Sequence, residues 1–428
     1  IHTPAPWTLF KGINKLDAGH YLVVSSSGNV EQKEYWDLRT VPAPDFDFED
    51  EDAVALRIRV LLIEAIEKRM MSDVPFGVFL SGGIDSSANV ALMSELMDRP
   101  VDTFTVAIKG QEDHNEFHWA REISKRFGTN HREILIDDAG FLDLLPHIVH
   151  HQDEPLADPV CFPLYHVSKL ARDNGTIVIQ VGEGSDEQFS GYESYIRAWK
   201  LNRLSKTLKK STPRGVRSLA YKAAVPLLKA KRVDYRQNVI RNAFEGGPVF
   251  WGNAIAFYDR EKSGLLSNTL KQRLGTMDSS YELVRQRQDM LEGADDDGLQ
   301  KMIYWEIKNR LAELLLMRVD KVTMATSLEA RVPFLDHNMV EFSFHIPDIL
   351  KIKNGTTKYI LKKALRGILP DEIIDRKKIG FGGSGKNMLT PEIFRHARKL
   401  LLSPEHDYYN LDYLSDFLGE YDQKRINY

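Results

Sequence analysis

A glycine- and serine-rich turn in the segment VFLSGGIDSS, residues 78–87, has the residue types that bind phosphate. The apolar run before the turn predicts a buried strand that ends near Leu80, and the residues after it predict the start of a helix. Glycines let a backbone approach a phosphate without obstruction by a Cβ atom. A helix N-terminus directs free N–H groups at an anion, and serine hydroxyls add donors. The residues predicted to line this phosphate-binding loop are Ser81, Gly82, Gly83, Ser86 and Ser87.

Asp85 lies in the middle of this loop, where its carboxylate would repel a bound phosphate. A cation between the two groups removes that repulsion, and Mg²⁺ binds both carboxylate and phosphate oxygens. The loop therefore predicts Mg²⁺ as a cofactor, with Asp85 as one ligand. An ordinary strand–turn–helix in which Asp85 or Ser86 caps the helix is the alternative. A cap needs only one such residue, whereas this turn combines two glycines, an aspartate and three serines.

A second acidic segment, GEGSDE at residues 182–187, follows the apolar stretch 176–181, which predicts another strand. Ligands bind at the carboxyl ends of strands in open parallel sheets. Glu183 and Asp186 are three residues apart, so on a helix they share a face and can hold Mg²⁺ or act as a general base. A dinucleotide-binding fingerprint is excluded because Glu187 stands where a glycine is required. Acidic residues that only complement a helix dipole remain the alternative.

Basic residues that can bind phosphate occur further along the chain. Arg318 lies on a predicted helix, where it can grip a phosphate or form a salt bridge with Asp320 or Glu313. The segment GFGGSGKN, residues 380–387, differs by one residue from a Walker P-loop, because it ends in asparagine instead of serine or threonine. No buried strand precedes this segment, so we interpret it as a flexible loop.

The order of the predicted elements indicates the fold that must position these residues. Apolar strands alternate with helical patterns from about residue 53 to residue 181. This alternation predicts an α/β fold with a doubly wound parallel sheet and helices on both faces. Residues 195–293 predict a basic helical insertion, whose charges either face solvent or bind an acidic partner. The chain after residue 299 predicts a helical C-terminal part.

The N-terminal part of the chain differs from the rest. Residues 20–24 and 30–36 predict a β-hairpin, which is marginal without a partner surface, and the acidic stretch 41–52 predicts a linker. The sequence begins at Ile1 and has no basic flank followed by an apolar stretch, which excludes a signal peptide. We therefore expect the chain to be cut, naturally or by engineering, from a longer protein.

The composition restricts the class of protein. The 428 residues are 43% apolar and 28% charged, as in globular proteins with a sizeable core. The formal net charge of −4 disfavours a general nucleic-acid binder, which usually carries a basic excess. The single cysteine, Cys161, cannot form an internal disulfide or a cysteine-based zinc site. No apolar run approaches the roughly 18 residues that are needed to span a membrane.

Three motifs together resemble a known family. The loop SGGIDSS is similar to the pyrophosphate-binding loop of ATP pyrophosphatases, which release AMP and pyrophosphate. With VGEGSDEQFSGY at 181–192 and SLEARVPFLD at 327–336, it resembles the synthetase domain of glutamine-dependent asparagine synthetases. The opening stretch 4–20 is similar to the tail of the glutaminase domain of that family. The similarity runs in order from Ile1 to about Gly383 and covers the insertion and the end of the chain poorly.

The resemblance implies an ATP-pyrophosphatase, Rossmann-like fold over residues 45–428. Residues 1–44 would be a β remnant of a glutaminase domain that is mostly absent from this chain. The implied reaction is attack of a carboxylate on the α-phosphate of ATP to give an acyl-adenylate, which ammonia converts to an amide. Aspartate is the implied acceptor and asparagine the product. Because folds are reused for different functions, amidation or cyclisation of another carboxylate, such as a sugar acid, stays open. A non-catalytic partner subunit is a further alternative.

The resemblance also implies roles for single residues. Glu183 would assist deprotonation of the attacking amine, Arg318 would grip a phosphate, and Lys378 would lie near the pyrophosphate. Asp85 and Asp186 would hold Mg²⁺. Four residues outside the loop are also implied to bind ATP: Phe79, Val106, Val181 and Gly182. Phe79 and Val106 would hold the adenine through their backbones.

The implied partners are ATP, a small carboxylate and ammonia, which would come from the missing glutaminase domain. Neither a nucleic acid nor a membrane is expected as a partner, and a homodimer is compatible with the sequence. The expected location is cytoplasmic.

Overall fold

A computed structural model of the chain describes most of its residues in two compact units. The first unit comprises Ile1–Arg197 and Leu291–Ser384, and the second comprises Ala198–Met290 and Gly385–Tyr428. The described residues are 1–110, 116–137, 140–230, 237–245, 249–250, 252–257, 259–275, 280–291, 298–376, 378, 390–403, 405 and 407–422.

An antiparallel hairpin lies near the start of the first unit. Strand β1 spans His20–Val24 and strand β2 spans Val30–Glu34, so both predicted strands are present. Their side chains are largely exposed, and the hairpin therefore adds little to the core. Asp37 anchors the chain just after the hairpin. Its buried carboxylate accepts a hydrogen bond from Tyr304 and forms an ion pair with Lys308.

Five parallel strands form the core sheet of the first unit, in the spatial order β5-β4-β3-β6-β7. These strands are β3 Phe76–Phe79, β4 Asp102–Ile108, β5 Asn130–Ile136, β6 Val178–Gln180 and β7 Glu329–Arg331. The chain runs from β3 through β4 to β5 and then returns to β6 on the other side of β3. This reversal is the doubly wound order, so the predicted α/β fold class is confirmed. Ligands bind in such sheets beyond the carboxyl ends of the strands at the reversal, here β3 and β6.

The edge strand β7 is not predicted by the sequence pattern. Its three residues, Glu329–Arg331, are too few for a period-two pattern to be recognised. The strand forms because it pairs with β6, where Val178 lies opposite Glu329 and Gln180 lies opposite Arg331.

Helices make up most of the remaining described structure. The first six are α1 Glu51–Met70, α2 Ile84–Leu96, α3 Phe117–Phe127, α4 Phe141–Gln152, α5 Cys161–Asp173 and α6 Ser185–Phe189. Next in the chain come α7 Glu193–Ser211, α8 Arg214–Ala230, α9 Gln237–Glu245, α10 Asp259–Leu265, α11 Asn268–Leu274 and α12 Ser280–Asp289. After these come α13 Leu299–Trp305, a π-helix Glu306–Leu316, α14 Met317–Met324, α15 His337–His345, α16 Asp348–Lys351, α17 Tyr359–Leu365 and α18 Asp371–Asp375. The last two are α19 Pro391–Leu401 and α20 Leu411–Asp422.

Helix α1 shows how the sequence pattern becomes packing. The pattern predicts a helix from Ala53, and the helix begins two residues earlier because the Asp50 carboxylate accepts two backbone N–H groups of the first turn. Acidic residues in that turn and basic residues in the last turn complement the helix dipole. The apolar positions of α1 that face the core are Val54, Ile58, Leu61, Leu62, Ala65 and Ile66.

The regular secondary structure described in the second unit is helical apart from one isolated bridge between Leu266 and Tyr409, in agreement with the helical insertion predicted from the sequence. The segment at residues 380–387, which we interpret as a flexible loop, lies outside the described residues. Within the described part of the chain, no helix is both long enough and apolar enough to cross a membrane.

Candidate active site

The phosphate-binding loop predicted at residues 81–87 joins β3 to α2 at the carboxyl edge of the sheet. Gly83 is the N-cap of α2, and no side chain in the described structure caps this helix end. The Ser81 N–H donates to Ser86 Oγ at 3.2 Å, and the Gly83 N–H donates to Ser81 Oγ at 3.3 Å. The capping role considered for Asp85 or Ser86 is therefore not observed. An uncapped N-terminus of a 13-residue helix lies at the edge of the sheet where ligands bind.

Two glycines let three segments meet at this loop. Gly82 has a positive φ of 67°, and a Cβ atom there would lie 2.4 Å from the Cβ atom of Trp119 on α3. A Cβ atom on Gly182, which follows β6, would lie 2.9 Å from the Cβ atom of Asp85. Both approaches require glycine, and the second brings the GEGSDE segment against the phosphate loop.

The three serines of the loop differ in what they offer a ligand. Ser81 is half-buried, and its hydroxyl lies 3.1 Å from that of Ser86. Ser87 is fully buried, and its hydroxyl has no hydrogen-bond partner among the described residues. Ser81 is therefore the serine best placed to donate to a phosphate.

Two of the predicted acidic residues converge on one buried lysine. Lys358 Nζ donates to both carboxylate oxygens of Asp85, at 2.6 and 2.7 Å, and forms an ion pair with Asp186 Oδ1 at 2.7 Å. Ser185 Oγ donates to Asp85 at 2.7 Å. The Lys358 side chain is 4% exposed. The two carboxylates predicted to share Mg²⁺ thus share an ammonium group in this structure.

The charges of this cluster shift one another's pKa. Burial alone would raise the pKa of Asp186, but the ammonium groups of Lys358 and Lys378 lower it below the usual range. Burial would likewise lower the pKa of Lys358, but the carboxylates of Asp186 and Asp85 raise it above its usual value. Lys358 and Asp186 are therefore both ionised at neutral pH.

Lys378 contacts the same cluster from the other side. Its ammonium group forms an ion pair with Asp186 Oδ2, and its Nζ lies 4.4 Å from the centroid of the Tyr192 ring. The Lys378 side chain is 41% exposed, so a ligand can reach it. The residue predicted to lie near a pyrophosphate therefore contacts the acidic segment that packs on the phosphate loop.

Arg318 connects two further acidic residues. Its Nη2 donates to Glu183 Oε1 and its Nη1 donates to Asp158 Oδ2, both at 2.7 Å. The arginine side chain is 8% exposed, whereas that of Glu183 is 25% exposed. Asp320 and Glu313, the partners considered from the sequence, do not pair with it in the described part of the chain. Arg318 thus orients the more accessible carboxylate of Glu183.

The residues predicted around the adenine lie on neighbouring strands. Phe79 ends β3, and the next N–H, that of Leu80, donates to the Phe104 carbonyl on β4 at 2.9 Å. Val106 is two residues beyond Phe104 on β4, and both Phe79 and Val106 are 8% exposed. The N–H of Val181 donates to the Arg331 carbonyl at 2.9 Å. That N–H group is therefore used within the sheet.

Comparison with known proteins relates this geometry to a family. The family model described as asparagine synthase matches residues 57–428. The chain belongs to the asparagine synthase family. The resemblance drawn from the three motifs is therefore confirmed.

Several curated proteins are similar to the chain over most of its length. Glutamine-hydrolyzing asparagine synthetase 1 of Bacillus subtilis is 32% identical, over 98% of this chain and 63% of the relative. A putative glutamine-hydrolyzing asparagine synthetase of Mycobacterium tuberculosis is 30% identical, over 89% of this chain and 56% of the relative. The amidase chyE of Penicillium rubens is 25% identical, over 92% of this chain and 62% of the relative. The chain thus spans about three fifths of the length of these curated relatives.

Two carboxylates that could take part in holding a Mg²⁺ ion converge at the loop, with an ammonium group between them. In the part of the chain that the structure describes, no group of three or more His, Cys, Asp or Glu side chains is arranged to hold a metal. Asp85 and Asp186 nevertheless converge, since both lie within 2.7 Å of one nitrogen. Mg²⁺ commonly combines one or two carboxylates with phosphate oxygens and water. Asp85 and Asp186 are the residues that could take part in such a site, where a Mg²⁺ ion would have to share or replace the ammonium group of Lys358.

Two residues of this family member were not singled out by the sequence analysis. Lys358 was assigned only to a predicted helix, and its neighbours Lys362 and Lys363 have the same residue type. The positive φ of 52° at Lys358 marks it in the structure but not in the sequence. Asp158 is given no role by the sequence analysis, and its contact with Arg318 supplies one.

Proposed function

We propose that this chain catalyses the ATP-dependent amidation of a carboxylate, with aspartate as acceptor and asparagine as product. A carboxylate oxygen bonds to the α-phosphorus of ATP, the bond from that phosphorus to the bridging oxygen breaks, and pyrophosphate leaves. Ammonia then attacks the acyl carbon, loses a proton and displaces AMP. The observation that carries the proposal is the convergence of Asp85, Asp186, Lys358 and Lys378 at the phosphate loop of an asparagine synthase family member.

The lysines and the loop suit the first step because negative charge develops on the departing pyrophosphate. Lys358 and Lys378 supply ammonium groups, and the N-terminus of α2 supplies backbone N–H groups. Both lysines are already held by aspartates, so little reorganisation is needed when ATP binds. A Mg²⁺ ion held by Asp85, Asp186 and phosphate oxygens would supply further positive charge to the same oxygens.

We place the adenine against the ends of β3 and β4, with the phosphates directed toward α2. Phe79 and Val106 would meet the base through their backbones, and their side chains stay in the core. Gly182 has no Cβ atom and can therefore pack directly on Asp85, which brings Val181 and Gly182 beside the phosphate loop, where we place the ribose and phosphates.

Glu183 suits the second step. It is the more accessible carboxylate of this region, and Arg318, which Asp158 holds in turn, orients it. A carboxylate so placed can accept the proton that the attacking ammonia loses. We therefore assign Arg318 to positioning Glu183, in place of the phosphate contact implied by the resemblance.

Release of pyrophosphate with a panel of carboxylates tests the proposed function. The purified chain is supplied with ATP, Mg²⁺, ammonium and one carboxylate at a time. With aspartate, we expect pyrophosphate, AMP and asparagine in equal amounts. Release with another carboxylate but not with aspartate would show that the acceptor is wrong. No release with any carboxylate would favour a non-catalytic partner subunit.

Amidation of a different carboxylate is the second candidate. It is favoured by relatives named as amidases, from Penicillium rubens and Gibberella zeae, which are each 25% identical to this chain. Acceptor choice depends on loops that a shared fold does not determine. Larger and sugar-derived carboxylates in the panel separate this candidate from the first.

Glu183→Gln is expected to slow formation of the amide product by about 100-fold and to spare adenylate formation. The reason is that the glutamine side chain cannot accept the proton that ammonia loses. Isotope exchange between pyrophosphate and ATP, with acceptor present, measures the first half-reaction separately. Glu193→Gln is the matched control, since Glu193 is an exposed glutamate at the start of α7. If exchange and amide formation fall in parallel, Glu183 acts before the ammonia step.

Gly191→Ala tests the geometry of the charge cluster. A Cβ atom on Gly191 would lie 1.9 Å from Asp186 Oδ1 and 2.4 Å from Lys358 Cε. The substitution must displace this ion pair, and we expect turnover to fall by about 100-fold. Gly215→Ala is the control, because a Cβ atom there meets no atom within 4 Å. Turnover of Gly191→Ala close to that of the wild type would show that the cluster need not keep this arrangement.

A further inference from the structure

Arg376 has a buried guanidinium group with an unused donor. Its Nη2 donates to Glu116 Oε1 at 2.6 Å, and its Cζ lies 5.7 Å from the centroid of the Trp119 ring. The side chains of Arg376 and Glu116 are 8% and 7% exposed. Arg376 Nη1 is buried without a hydrogen-bond partner in the described part of the chain. A buried, unsatisfied donor on a charged group is costly, so its retention calls for an explanation.

The position of this guanidinium group, beside the phosphate loop, explains the unused donor. A Cβ atom on Gly83, the N-cap of α2, would lie 3.4 Å from Arg376 Nη2. Trp119, against which the guanidinium packs, is also the residue that meets Gly82. Arg376 therefore lies beside the uncapped helix N-terminus, where backbone N–H groups attract an anion.

We propose that Arg376 is a binding residue for the pyrophosphate part of ATP, through the part of its guanidinium that lies beside Gly83. This inference rests on the proposed function, since it assigns a further contact at the same phosphate site. A purely structural ion pair with Glu116 would account for Nη2 but leaves Nη1 unexplained. A planar guanidinium fork suits phosphate oxygens better than an ammonium group does. Glu116 and Trp119 hold the fork in place before the ligand arrives.

Binding of inorganic pyrophosphate tests the inference without turnover. Isothermal titration calorimetry, with Mg²⁺ present, compares the wild type with Arg376→Met, Arg376→Lys and Glu116→Gln. We expect Arg376→Met to weaken binding by about 10- to 100-fold, the range of a charged hydrogen bond. Arg376→Lys should fall between the two because it keeps the charge and loses the fork. Glu116→Gln should bind at least as tightly as the wild type, because the glutamine Oε1 can still accept from Arg376 Nη2 and keep the fork oriented, while a negative charge near the ligand is removed.

The sign of the Glu116→Gln effect separates a phosphate contact from a structural role. If Glu116→Gln weakens binding as much as Arg376→Met does, the arginine only supports the loop, and the inference is wrong. Unchanged binding by Arg376→Met, or absence of pyrophosphate binding by the wild type, would also overturn it. If Arg376→Met does not fold, Arg376→Lys serves instead, and affinity equal to wild type then overturns the inference. The proposed function fails separately, through absence of amide formation in the carboxylate panel.

Discussion

Replacement of Lys358 by methionine is expected to reduce AMP-forming turnover by about 100- to 1,000-fold, the range found when a preorganised donor is removed. The Lys358 ammonium is the point on which Asp85 and Asp186 converge. Without it, a fixed positive charge beside the phosphate loop is lost, and two carboxylates are left to repel the phosphates of ATP. Methionine keeps an unbranched apolar stem, so packing around the buried side chain should change little.

The same substitution should change how stability depends on pH. Because the ammonium groups of Lys358 and Lys378 lower the pKa of Asp186, this carboxylate stabilises the fold above the pKa of its unfolded form. That contribution is lost as the pH falls through the lower pKa of the folded form. Lys358→Met should therefore be less stable than the wild type near neutral pH, and the difference should shrink in acid. Thermal unfolding from about pH 7 down to about pH 2 measures this, because the contribution of Asp186 is lost only below its unfolded pKa, whereas a packing defect would give a constant difference.

Lys363→Met is the matched control for this experiment. Lys363 lies on the same helix, α17, but pairs with Glu51 and Asp52. Both of its partners lie at the start of α1, and exposed ion pairs contribute little. Its turnover should stay within about twofold of the wild type. If Lys358→Met also retained turnover within about tenfold, the buried lysine would serve the fold and not the reaction.

Much of the candidate site could be predicted because its parts are contiguous in sequence. The phosphate loop and the GEGSDE segment each follow an apolar strand, and each contains residue types that ordinary turns do not need. That the two segments meet follows from topology, since β3 and β6 are neighbours in a parallel sheet. Local patterns of two and of 3.6 residues, together with the alternation of strands and helices, were thus sufficient for the fold class.

The contacts that the sequence could not predict join residues far apart in the chain. Lys358 is 273 positions from Asp85, and Arg318 is 160 positions from Asp158. Nearness in the sequence suggested Glu313 as a partner for Arg318, but Glu313 pairs with Lys15 near the N-terminus. A local rule identifies residues that can pair on one helix, and tertiary packing then decides which pairs form. Even the edge strand β7 depends on its neighbour, because three residues carry too little pattern of their own.

The nitrogen source provides the second large effect. We expect the purified chain to form amide from ammonium salts and not from glutamine. Release of ammonia from glutamine by a cysteine requires an accessible thiolate. The 428 residues contain one cysteine, Cys161, which is 4% exposed at the start of α5. Burial raises the pKa of its thiol to about 12, so about one thiol in 10⁴ is ionised at pH 8.

Ammonia itself needs no such nucleophile, because it attacks the acyl carbon directly. The residues that we assign to both half-reactions, from Ser81 to Lys378, all belong to this chain. Product formation is measured with ammonium and with glutamine at the same concentrations of ATP and acceptor. Glutamate is measured as well, so that ammonia already present in the glutamine is not mistaken for the product of hydrolysis. Cys161→Ala should keep the ammonium-dependent rate within about twofold, since its thiol does not take part. If the wild-type chain forms glutamate from glutamine and Cys161→Ala does not, the buried thiol is a nucleophile. The prediction that this chain makes amide from ammonium but not from glutamine would then be refuted.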